Sequence, residues 1–108
     1  MDKRFTSDFD DLKTLDGKYR FIKTIEHSVN LLSDVKNIRL SKLEKDYIKI
    51  IVFNRHNLSV QIEITLENGY AYGCNNINIK TLHFCKESFE LSKKVDCAIL
   101  NVMRGTYK

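Results

Sequence analysis

The stretch "LSVQIEITLENG", residues 58–69, decides the fold. Leu58, Val60, Ile62, Ile64 and Leu66 alternate without exception with Ser59, Gln61, Glu63, Thr65 and Glu67. Successive side chains of a strand point to opposite faces, so this period of two predicts a strand with one buried and one wet face. Asn68-Gly69 follows, and both central residues of a tight hairpin need positive φ, which these two residues tolerate best. "YAYGC", residues 70–74, is then expected to return as the partner strand, with Tyr70 and Tyr72 on one face. Upstream, "YIKIIVF" at 47–53 reads as a strand apolar on nearly both faces, and Arg55-His56-Asn57 turns it into the next. The expectation is an antiparallel meander with 58–67 in its centre. "INIKTLHF" at 77–84 either continues the third strand past a bulge at Asn75-Asn76 or forms a fourth.

Helices flank this core. In "TSDFDDLKTLDG", residues 6–17, Ser7 and Asp10 resemble a capping box, Phe9, Leu12 and Leu15 form a stripe, and Gly17 is a stop. In residues 18–35, Phe21, Ile22, Ile25, Val29 and Leu32 recur with a helical period. In residues 86–105, Leu91, Val95, Ala98 and Val102 share a face. A one-sided sheet must cover its apolar face, and the long helices are the available cover. The fold class is α+β: a three- or four-stranded antiparallel meander packed against N- and C-terminal helices, in the order α-α-β-β-β-α. Residues 1–108 are read as a single domain, since the chain has no proline, four glycines and no linker-like segment.

Apolar residues make up 43% and charged residues 30%, a globular composition. No apolar run reaches the roughly 18 residues that cross a bilayer, and the start lacks a leader-like apolar stretch. The chain is therefore expected in the cytoplasm, without a membrane partner. Cys74, Cys85 and Cys97 have no C-x-x-C spacing and are expected as reduced, buried thiols. The net charge of +4 is uneven: residues 18–56 hold nine cations and four anions, whereas 57–79 hold only Glu63 and Glu67. Such a bias favours nucleic acid or an acidic protein surface as partner.

Within "VKNIRLSKLEKDYIK", residues 35–49, Lys36, Arg39, Lys42, Lys45 and Lys49 fall about every three residues. If 41–48 is a helical turn, Ser41 and Glu44 cap it and Lys42, Lys45 and Lys49 face solvent together. If 46–54 is strand throughout, Lys49 shares a face with Tyr47, Ile51 and Phe53, and the comb is split. A gathered comb, with Lys93 and Lys94, is a candidate surface for nucleic acid or an acidic partner. Glu63 and Glu67 beside Tyr70 and Tyr72 are the candidate protein interface, because aromatic anchors carry interface energy.

No catalytic residue is assigned. His56 and His83 are expected at opposite ends of their hairpin, which separates the pair an acid–base ribonuclease needs. Cys74, His83, Cys85 and Cys97 match no compact zinc spacing, so no metal or other cofactor is expected. Glycine-rich phosphate loops and nucleophile-elbow motifs are absent.

"RHNLSVQIEITLENGYAYG", residues 55–73, resembles the hairpin region of double-stranded-RNA-binding domains. Their α-β-β-β-α order is similar to residues 19–104. The resemblance implies that His56 matches the histidine of their first β-loop and Ser92-Lys93-Lys94 the lysine motif of their second helix. "FDDLKTLDGKYRFIKTIEHSV", residues 9–29, is similar to the helical hairpin of small basic toxin ribonucleases of the RelE type, which would make Arg55 and Tyr72 their functional positions. The leading expectation is a non-enzymatic binding protein that occludes a macromolecular partner, as immunity or anti-defence inhibitors do. A protein partner ranks first. An RNA- or DNA-binding module is second and a small ribonuclease third. An edge strand could also pair two copies.

Overall fold

The computed structural model describes residues 2–7, 14–68 and 75–106. It is an α+β fold with strands β1 (Asp2–Ser7), β2 (Val35–Leu43), β3 (Tyr47–Asn54), β4 (Ser59–Asn68) and β5 (Asn75–His83), and helices α1 (Leu15–Asn30) and α2 (Phe89–Thr106). The five strands form one antiparallel sheet in the order β1-β5-β4-β3-β2. The strand with strict alternation, β4, is the central one. β2 to β5 are a meander, and β1 adds to the outer edge of β5. Because β1 and β2 lie on opposite edges, the connection through α1 spans the sheet.

Both helices cover the same face. Ile48, Ile50 and Val52 of β3, Val60, Ile62 and Ile64 of β4, and Ile77 and Ile79 of β5 point into it and are buried. Phe21, Ile22, Ile25 and Val29 of α1 and Leu91, Val95, Ile99 and Met103 of α2 meet them there. At about 25 cal/mol per Å² of apolar surface removed from water, this layer is the main source of stability.

The order of elements departs from α-α-β-β-β-α in four places. Residues 2–7 are a strand that pairs with β5, Asp2 opposite Lys80 and Ser7 opposite Asn75. Ser7 therefore ends β1; its strand state is set by a partner some seventy residues away, which no local pattern announces. The helix expected from Lys18 starts earlier, at Leu15, inside the stretch assigned to the first helix. Thr14 is its N-cap, its hydroxyl accepting from the Gly17 amide at 3.0 Å. Gly17 lies in the first turn, where its conformational cost is tolerated, and stops nothing. Phe9, Asp10 and Leu12 lie outside the described residues.

The expected helix over 18–35 ends at Asn30, and 35–43 is β2. Finally, the described partner of β4 is 75–83: Glu67 pairs with Asn76 and Asn68 with Asn75. Gly69, Tyr70, Tyr72 and Cys74 lie outside the described residues. Four meander strands thus separate the helices, one more than the α-β-β-β-α order.

The β3–β4 turn follows from two asparagines. The Asn54 side-chain oxygen accepts from the amides of His56 and Leu58, each at 2.9 Å. Asn57 takes a left-handed conformation at φ 61°, which asparagine tolerates better than most residues.

Candidate functional site: the open face of the sheet

Among the described residues, no helix covers the second face of the sheet. Its side chains are the alternate set: Tyr47, Lys49, Ile51 and Phe53 on β3, Gln61, Glu63 and Thr65 on β4, and Asn78, Lys80 and Leu82 on β5. Lys80 is exposed and the others are half-buried.

β2 decides what happens to the comb. Its register shifts twice, between Val35 and Asn37 and between Leu40 and Lys42. Each shift sets two residues of β2 against one of β3, as a β-bulge does. Val35, Ile38, Leu40 and Leu43 are thereby kept half-buried against the core, while Lys36, Asn37, Arg39, Ser41 and Lys42 are exposed. A spacing of three residues, which would scatter over both faces of a regular strand, is gathered by the two bulges. Residues 47–54 are strand, and Lys49 shares a face with Tyr47, Ile51 and Phe53 as that alternative requires. The comb is nonetheless not split there, because Arg39 stands opposite Ile51 and Lys42 opposite Lys49. Lys45 is exposed in the β2–β3 turn, which the Glu44 amide closes by donating to the Tyr47 carbonyl at 2.8 Å.

The registers define rows across the sheet. One row runs Lys42, Lys49, Glu63 and Lys80 from β2 to β5, with Asp2 of β1 opposite Lys80 at its end. With strands about 4.8 Å apart, it spans about 14 Å. Glu63 stands between two lysines and accepts a hydrogen bond from Tyr47. Loss of water around the Tyr47 phenol, followed by that bond and the charges of Glu63 and Glu44, holds its pKa above the ordinary tyrosine value. Lys42 and Lys49 face each other directly, and like charges so placed destabilise a sheet. The adjoining row is Arg39, Ile51, Gln61 and Leu82, and the next holds Asn37, Phe53 and Ser59. The Arg39 guanidinium lies over the Phe53 ring, 5.7 Å from its centroid. Phe84, one residue past β5 and next in the series Lys80, Leu82, is 69% exposed.

The other candidates sit elsewhere. Lys93 and Lys94 are on α2, in the layer behind the sheet. Lys93 lies over the Phe89 ring at 4.5 Å and pairs with Glu90 at 3.7 Å. Lys94 pairs with Asp34, and its hydrogen bond and charge hold that carboxyl below the usual aspartate value. Both lysines line a groove of about 340 Å³ between the helices, with Leu31, Leu32, Cys97 and Ala98. They do not join the comb. Of the expected acidic and tyrosine surface, Glu63 is flanked by lysines, the Glu67 side chain lies outside the described residues, and so do Tyr70 and Tyr72.

His83 pairs with Val60, at the same end of the sheet as His56 in the β3–β4 loop. The two are not at opposite ends, because the β4–β5 register sets Asn76 opposite Glu67 and so carries His83 back to Val60. His83 turns to the helix side, its ring 5.3 Å from that of Phe89. Cys85 and Cys97 are exposed free thiols and not buried, since both sit past or beside the core. Among the described residues, no group of three His, Cys, Asp or Glu side chains is placed to hold a metal, and no helix is long and apolar enough to cross a membrane. Lys80 was not singled out from sequence. The alternation Asn78, Lys80, Leu82 against Ile77 and Ile79 was the signal that could have found it. No protein-family model matches the chain, and no curated protein matches it.

Proposed function

We propose that this protein is a non-enzymatic binding module that acts by occlusion, laying the open face of its sheet on a polyanionic macromolecule. The observation that carries this reading is the row Lys42, Lys49, Glu63 and Lys80, with Arg39 and Lys36 beside it. Two lysines directly opposite each other lower stability, so an anionic partner is the natural stabiliser of the arrangement. A face that carries cations among half-buried apolar groups suits a docking surface better than a catalytic cleft. An acidic protein surface as partner would make the chain an immunity- or anti-defence-type inhibitor; nucleic acid would make it a nucleic-acid-binding module. Action in the cytoplasm is part of the proposal: exposed free thiols at Cys85 and Cys97 suit a reducing compartment.

Fluorescence anisotropy with labelled single-stranded RNA, duplex DNA and polyglutamate, at two salt concentrations, tests it. At least one probe should bind, more weakly at high salt, and the Lys42→Glu/Lys49→Glu/Lys80→Glu variant should lose about tenfold or more in affinity. The Lys93→Glu/Lys94→Glu variant should retain binding. No binding of any probe at low salt, or an equal loss in both variants, refutes the reading.

A further inference from the structure

We propose that the polyanion is single-stranded RNA, lying flat across the strands with phosphates on Lys42, Lys49 and Lys80 and a base stacked at Phe53 beside Arg39. This rests on the open face being the binding surface. Three features separate RNA of this kind from the other polyanions.

The first is shape. Reading duplex DNA in the major groove needs a helix or a two-stranded ribbon that enters it. Among the described residues, nothing of that kind rises from the open face. A single strand has no such demand: its unstacked bases can be splayed over a sheet and its backbone tracked by cations.

The second is the apolar content. An acidic protein surface would be matched by cations and hydrogen-bond donors. Here Ile51 and Leu82 lie half-buried in the row next to the lysines, and Phe53 in the row after it. Rows on one face are about 6.7 Å apart along a strand. Arg39 therefore stands between the lysine row and Phe53, able to hold a phosphate or extend the stacking platform with its planar guanidinium. Every base offers a π-face to such a platform.

The third is the uncharged polar set. Gln61, Thr65 and Asn78 flank the lysine row, Thr65 directly opposite Asn78. Side-chain amides and a hydroxyl both donate and accept, which matches the ribose 2′-hydroxyl that distinguishes RNA from DNA. Glu63, repulsive to phosphate, can accept from an exocyclic base amine.

The test compares a labelled single-stranded RNA of mixed sequence with DNA of the same sequence, duplex RNA and polyglutamate. Single-stranded RNA should bind most tightly. Phe53→Leu keeps apolar volume but removes the ring, and should weaken that binding about tenfold. Arg39→Lys keeps the charge, touches no core residue, and should weaken it as well, which covers the case of a poorly folded Phe53→Leu. The Lys42→Glu/Lys49→Glu/Lys80→Glu variant should flatten the log–log salt slope by about 2, at about 0.7 per phosphate contact. Single-stranded DNA bound as tightly as RNA overturns the choice of RNA. Duplex or polyglutamate bound more tightly than the single strand, or RNA binding unaffected by Phe53→Leu and Arg39→Lys, overturns the single-strand inference while leaving the polyanion reading in place. No binding by any probe overturns both.

Discussion

Ile62 sits in the middle of the central strand, fully buried, with Ile50 on one side and Thr81 on the other. Truncation to alanine removes three carbons from the core. At about 0.8 kcal/mol per buried carbon, the lost transfer energy is about 2.4 kcal/mol. If the site fails to collapse, a residual cavity of about 60 Å³ adds about 1.4 kcal/mol at 24 cal/mol per Å³. The expected cost of Ile62→Ala is thus about 2–4 kcal/mol. For a chain of this size each kcal/mol lowers Tm by about 4–8 °C, so the variant should melt about 8–30 °C lower. Gln61→Ala is the control: one residue away, on the open face, it should change stability by less than about 0.5 kcal/mol. Urea titration followed by circular dichroism measures both. Ile62→Val, expected to cost about 0.5–1.5 kcal/mol, keeps the comparison usable if the alanine variant does not fold. A near-neutral Ile62→Ala, or a Gln61→Ala that costs as much, would refute the assignment of faces on β4 and with it the open face.

Asn54→Ala removes the acceptor shared by the His56 and Leu58 amides and should cost about 1–3 kcal/mol in the same titration, with Asn54→Asp closer to wild type because it keeps the oxygen. Thr14→Ala deletes the cap on α1 and should cost about 1 kcal/mol, with Thr14→Ser nearly neutral. Tyr47 has a folded pKa raised above its unfolded value near 10, so the stability it contributes is complete below that value and is lost as pH rises through the folded pKa. Denaturation midpoints should fall less steeply above about pH 10 in Tyr47→Phe than in wild type; identical slopes would deny the shift.

β4 and α2 were legible because each shows its own period, and β3 because it is a short apolar run rich in β-branched residues. The isoleucines and valines of β4 all reach the core, and the apolar stripe of 86–105 reaches it too. β2 was not legible. Its cations and apolar residues recur every two to three positions, which mimics a helical turn at 41–48, and only its pairing with β3 reveals the bulges that produce this spacing. β1 is too short to carry a period, and its pairing partner lies at the other end of the chain. The return strand was misplaced because Asn68-Gly69 is a strong local turn signal, yet the β4–β5 register closes at Asn68 and Asn75. The same displacement hid Lys80 as a neighbour of Glu63 and put His83 at the wrong end of the sheet. Arg39, Lys42 and Lys49 were legible as cations. Their convergence depended on strand register, which composition and spacing do not encode.

A ¹⁵N chemical-shift titration of the protein with single-stranded RNA tests directly whether the open face of the sheet is the binding surface. Binding on the open face should perturb amides clustered at Arg39, Lys42, Lys49, Phe53, Glu63 and Lys80, with those of α1 and α2 little changed. Perturbations centred on the groove between the helices at Lys93, Lys94 and Cys97, with the sheet amides unmoved, would contradict it.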